Sequence, residues 1–336
     1  MRASVFAGPR DIRVTDLSDP TPCDGEIVVS VRAAGVCGGD LHEYRAGRQL
    51  YATPYPRPAQ GHEVAGEVLT VGPNVHTVSP GDRVAIQPMV SCGACSRCAA
   101  GRWALCEKLE HIGVARPGGF AEQCVAPATN AFPLPEHVSF DEGALLDCTA
   151  VAVHAFARVP IPHDTDVVVL GAGAIGLAIA QLARAEGAGR VTLVGTRPRP
   201  LEVARSLGIE ATVDLGADEA PPTGAAVVFE TAGGPDMLER ALAAVEVGGT
   251  IGLVGESFDA QAFDPTAAME RELTIAFVWS HDGRDEFARA LDLAASGAVV
   301  LAPAVTHHFG LDEIADAFAT ASDRGRSGAI KVMIRP

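Results

Sequence analysis

Residues 166–256 alternate between two textures, and this alternation constrains the fold more than any other feature of the chain. DVVVL (166–170), VTLVG (191–195), AAVVFETAG (225–233) and TIGLVGE (250–256) are short apolar runs of strand type. Between them lie AIGLAIAQLARAEG (174–187), LEVARSLG (201–208) and LERALAAVEVGG (238–249), which read as helices. Strand and helix in turn argue for an α/β unit, a doubly wound parallel sheet covered on both faces. GAGAIG (171–176) stands at the first strand-to-helix turn and fits G-x-G-x-x-G in the context that gives the pattern meaning. Gly171 allows the tight turn, Gly173 lets backbone approach a pyrophosphate, and Gly176 lets helix pack on strand. With Ala174 and Ile175 they would seat phosphates on a helix N-terminus, where unpaired N–H groups and the macrodipole favour anions.

The next strand ends VTLVGTRPRP (191–200). A free ribose 2′-hydroxyl normally meets an acid about 20 residues past the turn. No acid stands there before Glu202; Thr196, Arg197 and Arg199 do. A hydroxyl and guanidinium groups suit a 2′-phosphate, which favours NADP(H) over NAD(H).

Residues 1–150 differ: EIVVSVRAAGV (26–36), EVAGEVLTVG (63–72) and DRVAIQPMV (82–90) are β-type runs punctuated by DPTPCDG (19–25) and SPGD (79–82). They read as a β-rich, Greek-key or barrel-like domain. The chain's end returns to a mixed texture, with VTHHFG (305–310), a helix over 311–322 and the strand AIKVMI (329–334). A chain of 336 residues has room for two domains. Its 42 acids against 26 bases leave a net charge of −16, which argues against nucleic acid or anionic membrane as a partner. The N-terminal segment has no apolar core of a signal peptide and no run is long enough to span a bilayer. A cytoplasmic protein is expected, in which the eight cysteines point to metal or catalysis before disulfides.

CGACSRCAAGRWALC (92–106) places Cys92, Cys95, Cys98 and Cys106 at C-x2-C-x2-C-x7-C. Thiolates this close can converge on one tetrahedral Zn²⁺, and four protein ligands leave no open position, so the site reads as structural. Two disulfides or an iron–sulfur cluster are the alternatives for the same residues. A second, mixed set is spread along the chain: Cys37 in GVCGGDLH (35–42), His62 and Glu63 in GHE, and Asp147 and Cys148 in EGALLDC (142–148). No spacing rule joins them.

The pieces VCGGDLHEY, GHEVAGEVLTVG, GDRVAI, the four-cysteine lobe, GGFAEQCVAP, GAGAIG and GAIKVMIRP stand in the order found in a family that the whole chain resembles. This is the zinc-dependent medium-chain dehydrogenases/reductases of the alcohol, sorbitol and butanediol dehydrogenase group. The resemblance implies a GroES-like catalytic domain (1–150 and 292–336, with the zinc lobe at 92–106) and a Rossmann nucleotide-binding domain (151–291). It implies two zincs per subunit, one catalytic and one structural. Cys37 and His62 resemble the first two catalytic ligands, and the third falls on Asp147, with Cys148 an open alternative. Glu63 resembles the acid that can move onto the metal, Asp40 the acid that orients the ligand histidine, and His42 the far end of a proton relay. A helix cap is the plainer reading of Asp40. Thr231, Ala232, Val254 and Gly255 are expected beside the nicotinamide. Gly39 departs from the pattern, because relatives carry a proton-passing Ser or Thr there.

The implied activity is hydride transfer between the cofactor and a small secondary alcohol or ketone. Polar candidates near the relay, Tyr44 and Arg45, suit a polyol, cyclitol, sugar or hydroxyketone; Tyr51, Phe120 and Trp279 are further pocket candidates. The family implies a homodimer or homotetramer, and ELTIAFVW (272–279) is a candidate pairing edge. A zinc-free quinone or enoyl reductase and a non-catalytic cofactor-binding relative are the competing readings. Cys37, His62 and the four-cysteine lobe speak against both.

Overall fold

The computed structural model describes residues 1–47 and 54–336. The chain forms two compact units: Met1–Asp147 with Asp282–Ala295 and Val305–Pro336, and Cys148–His281 with Ser296–Ala304. The return to the first unit therefore starts at Asp282, ahead of the expected residue 292. The helix Arg284–Ala295 buries Phe287, whose ring packs 4.8 Å from that of Phe132, while Arg284 lies over the same ring. Ser296–Ala304 goes back to the other unit, where Gln181 holds both the N–H and the carbonyl of Val300.

The axis of the first unit is the long strand Glu26–Gly35. It pairs antiparallel with Glu63–Val71 along its length, with Gln123–Pro127 over its first half, and with Lys331–Arg335 at its end. Arg83–Ile86 and Ala131–Pro133 extend the sheet on one side and Val305–Gly310 on the other. Alternate inward residues, among them Ile27, Val29, Val31, Val64 and Val84, bury into one core with Phe6, Phe120 and Phe318. The last strand thus lies beside the one that ends at Gly35, and its first residues, Lys331 and Val332, lie against Val36 next to Cys37. The run 82–90 is two strands, Arg83–Ile86 and Met89–Val90. Pro88 has no N–H for a ladder, and Asn130 satisfies the carbonyls of Gln87 and Met89 instead.

Among the described residues, the second unit holds six parallel strands. Their spatial order is Ala211–Asp214, Val191–Gly195, Val167–Leu170, Ala225–Glu230, Val245–Leu253 and Thr274–Phe277. The order reverses between Val167–Leu170 and Ala225–Glu230, which puts the topological switch point at the GAGAIG turn. The helix expected over 238–249 ends at Ala244, and Val245 begins the strand that runs to Leu253. Val245, Val247, Gly248 and Gly249 are poor helix formers and explain the early stop. Ala211–Asp214 was not anticipated; all four of its residues are only half-buried, which blurs the pattern.

Candidate functional site

In the four-cysteine lobe, the Sγ atoms of Cys92, Cys95, Cys98 and Cys106 lie within 4.8 Å of one another. The Cys95–Cys98 and Cys95–Cys106 sulfur separations are 3.5 and 4.0 Å. A tetrahedral zinc with Zn–S near 2.3 Å requires sulfurs about 3.8 Å apart, so the donor set fits that ion. Backbone N–H groups aim at the sulfurs: those of Cys92 and Lys108 donate to Cys106 Sγ at 3.2 and 3.3 Å. The N–H groups of Glu107 and Cys98 lower the Cys95 thiol to about 6. Burial and neighbouring sulfurs push Cys98 up to about 12. Such a set favours some thiolates and crowds others, a conflict a divalent cation relieves. No cysteine forms a disulfide.

The second set is assembled from distant segments. The short helix Gly38–Ala46 starts on Cys37, and Asp40 closes its first turn by accepting from the Cys37 N–H at 2.8 Å. Gly61 turns the chain at φ +92°, and a side chain there would enter the Phe120 ring. His62 and Glu63 follow at the head of the next strand. Cys37, His62 and Glu63 each bring one ligand atom within 4.8 Å of the others. Glu63 is fully buried and ion-paired with Lys331, which also donates to the Val36 carbonyl at 3.2 Å. A side chain at Gly35 would collide with Glu63, so glycine clears the space for that carboxylate.

Burial works against a charged His62 ring. The adjacent Cys37 sulfur, then Asp40 and Asp147, outweigh it and hold the imidazole well above its usual pKa. His62 Nδ1 is buried with no hydrogen-bond partner among the described residues. A thiol, an imidazole and a carboxylate with ligand atoms this close form a donor set that suits zinc. Asp147 is buried on the first turn of the helix Leu146–Arg158, close enough for its charge to act on His62. Cys148 is buried on the same helix, and neither it nor Asp147 is in the three-residue group. Asp40 does not orient His62 by a hydrogen bond: its carboxylate caps the helix at Cys37, and burial pushes it up to about 6. His42 is half-buried on that helix.

In the second unit, Gly171 has φ +115°, and a side chain at Gly176 would strike the Gly171 carbonyl. Gly173 caps the helix Ala174–Ala185 with no side-chain hydrogen bond, and a Cβ on it would meet nothing within 4 Å. The N–H groups of this first turn, including those of Ala174 and Ile175, are therefore left to a ligand, and the cradle fits a pyrophosphate. The Thr231 hydroxyl donates to the carbonyls of Leu170 and Gly171, tying the turn down. Val254 and Gly255 donate their N–H groups to the Glu230 carbonyl. The Glu230 carboxylate accepts from the N–H groups of Ala232 and Gly233 at 2.6 and 2.9 Å. Its burial raises its pKa against those bonds. Arg197 is half-buried ahead of the helix Pro198–Ser206, and its desolvation lowers its pKa. Thr196 and Arg199 are exposed.

The pocket candidates fare less well. Phe120 is fully buried and packs edge-on to Phe318, and Tyr44 packs between Phe6 and Phe318. Arg45 donates to the Ser322 carbonyl. These three serve the first unit's packing. Trp279 is partly exposed, and Tyr51 lies outside the described residues. Sequence reasoning missed Lys331, Glu230 and the buried trio Glu43, Arg57 and Gln60. The signal for Lys331 was a lone cation inside the apolar strand AIKVMI; the others had none.

Residues 23–136 match the alcohol dehydrogenase GroES-like domain, and residues 174–296 match the zinc-binding dehydrogenase family. A sorbitol dehydrogenase of Arabidopsis thaliana is 34% identical over 348 residues, covering 98% of this chain and 94% of that protein. An L-threonine 3-dehydrogenase of Saccharopolyspora erythraea is 34% identical and covers 98% of each chain. A solved structure from Sinorhizobium meliloti 1021, described as a zinc-binding dehydrogenase bound to NADP, superposes with a TM-score of 0.89 at 31% identity. It covers 100% of this chain and 99% of that one. A GroES-like unit joined to a Rossmann unit, with these matches, defines an oxidoreductase. The chain belongs to the zinc-dependent medium-chain dehydrogenases/reductases. Among the described residues no helix is long and apolar enough to cross a membrane.

Proposed function

We propose that this protein is a zinc-dependent, NADP(H)-preferring dehydrogenase of a polyol or related secondary alcohol. The observation that carries the reading is the convergence of ligand atoms of Cys37, His62 and Glu63 within 4.8 Å of one another, with Asp147 close enough for its charge to act on His62. Cys37, His62 and Asp147 would hold a catalytic zinc, with Glu63 as the neighbouring acid on its Lys331 tether. Cys92, Cys95, Cys98 and Cys106 would hold a second, structural zinc. When bound, zinc supplies a Lewis acid for the substrate oxygen and the nicotinamide supplies or accepts the hydride.

The chain's own residues do the rest. The GAGAIG turn holds the pyrophosphate, and Arg197, with Thr196 and Arg199, holds the 2′-phosphate. Thr231, Ala232, Val254 and Gly255 flank the nicotinamide at the strand ends. Gly39 has no hydroxyl to pass a proton towards His42; a water, a substrate hydroxyl or a different chemistry takes its place, and of these we propose the substrate hydroxyl. A vicinal diol supplies that group and a simple alcohol does not, which supports a polyol-type substrate. A homodimer or homotetramer pairs through the edge strand Thr274–Phe277, where Phe277 is 75% exposed.

The test is a panel of polyols, cyclitols, sugars and hydroxyketones with both cofactors, run with metal counting in wild type and Cys37→Ala. Turnover of vicinal diols with NADP(H), lost together with one of two zincs in Cys37→Ala, is the expected result. One zinc in both proteins, or turnover that ignores Cys37, sinks the zinc-dependent reading.

A further inference from the structure

A buried charge network outside the metal donors lies one helical turn beyond Asp40. Glu43 and Arg57 are 6% and 3% exposed, and the Arg57 guanidinium donates to both Glu43 oxygens at 2.8 and 2.9 Å. Gln60, equally buried, donates to Glu43 Oε2 at 2.9 Å. The second Arg57 nitrogen donates to the Val114 carbonyl at 2.7 Å. Each partner leads to the metal donors. Glu43 is on the helix that Cys37 starts, and Gln60 stands two residues before His62. Val114 belongs to the turn whose N–H groups return to His111, and the His111 ring lies 5.1 Å from that of His62.

A buried ion pair adds little net stability over apolar side chains of the same volume. What it does impose is direction: one Arg57 terminal nitrogen spans both Glu43 oxygens while the other reaches the Val114 carbonyl, so one rigid guanidinium fixes both partners. That geometry joins three segments: the Cys37 helix, residues 57–60 and the turn at Val114. Gln60 Oε1 is buried without a partner among the described residues, so the amide is held here at the expense of an unsatisfied acceptor.

We propose that Glu43, Arg57 and Gln60 are positioning residues that clamp the Cys37 helix to the segment carrying His62 and so set the spacing of the thiolate and the imidazole. This rests on the reading of Cys37 and His62 as zinc ligands. Supporting groups of this kind change metal affinity by about 10–100-fold when removed.

The test is chelator competition on the zinc-loaded full chain, with zinc per chain read by mass spectrometry and the melting temperature measured alongside. Wild type, Cys37→Ala and Gln60→Met are compared; Cys37→Ala identifies which zinc belongs to the buried centre. Gln60→Met removes the clamp's hold on the His62 segment and also an unsatisfied buried acceptor. It should melt no lower than wild type yet release the Cys37-dependent zinc about tenfold more readily, with the lobe zinc unchanged. A release curve matching wild type would overturn the proposal and leave the trio as packing. If Gln60→Met fails to fold, Glu43→Gln replaces it under the same criterion. A wild type with a single, Cys37-independent zinc overturns the metal reading and this proposal together, and that failure shows before any clamp variant is compared.

Discussion

The four-cysteine lobe and the Cys37 centre use similar donor atoms and are built in opposite ways. The lobe draws every ligand from residues 92–106, keeps Cys92 exposed, and tunes its sulfurs with the N–H groups of its own turns. The Cys37 centre draws on three strand ends and two helices, from residue 37 to residue 331, and buries all of its groups but the half-buried Cys37. The GAGAIG turn sides with the lobe: its glycines, helix cap and phosphate cradle all come from one short stretch. A site made within one loop depends on local geometry. A site made from distant segments depends on the whole sheet and on whatever neutralises its buried charges.

The largest effects should separate the two metal sites. Cys37→Ala should remove one zinc and lower turnover roughly a thousandfold, the loss expected when about 4 kcal/mol of Lewis-acid stabilisation goes. Its lobe zinc should stay. Cys98→Ser should do the reverse, with loss of the lobe zinc, protease cleavage within 92–106, and the buried zinc retained. Loss of both metals in either variant would break the separation.

Lys331→Met comes next. It strands Glu63 in a fully buried site, and breaking a buried pair costs about 3–5 kcal/mol. Denaturant melts should show that loss, and adding Glu63→Leu should recover most of it. A loss below about 1 kcal/mol would mean that the pair is not what holds the C-terminal strand to this centre.

In the second unit Arg197→Ala should raise the KM for NADPH about tenfold and leave that for NADH nearly unchanged, as expected for one charge-assisted bond to a phosphate. Equal effects on both cofactors would remove Arg197 from the 2′-phosphate. The smallest effect is expected at Glu230, whose folded pKa lies above its unfolded value. The folded state then binds more protons than the unfolded one, so the wild type loses stability as pH rises from about 4 through the raised value. Glu230→Gln lacks that slope and should gain on wild type over this interval. Parallel stability curves would mean that the N–H groups of Ala232 and Gly233 fully compensate the burial.

Legibility followed the same division. Strand, turn and helix at 166–187 were readable because periodicity and glycine placement are properties of adjacent residues. The lobe was readable because its spacing alone brings four sulfurs together. The cap made by Asp40 was legible, since a cap depends on three neighbouring residues, while orienting His62 depends on a contact across the fold. The start of Val245–Leu253 was hidden because LERALAAV runs into EVGG without a break in apolar content. Tyr44 and Phe120 were misplaced because an aromatic near a site motif does not say which face it turns to the core.

By itself the sequence determined a parallel-sheet unit with a glycine turn at its first helix and a lobe that gathers four cysteines, because contacts over short separations depend on local spacing. Only the tertiary structure decided that Glu63 lies against Lys331 and that Glu43, Arg57 and Gln60 share one buried network. The first contact follows from the antiparallel register of Glu26–Gly35 with Glu63–Val71 and Lys331–Arg335. Register across distant segments is set by the packing of the whole core, and no single stretch of the chain encodes it.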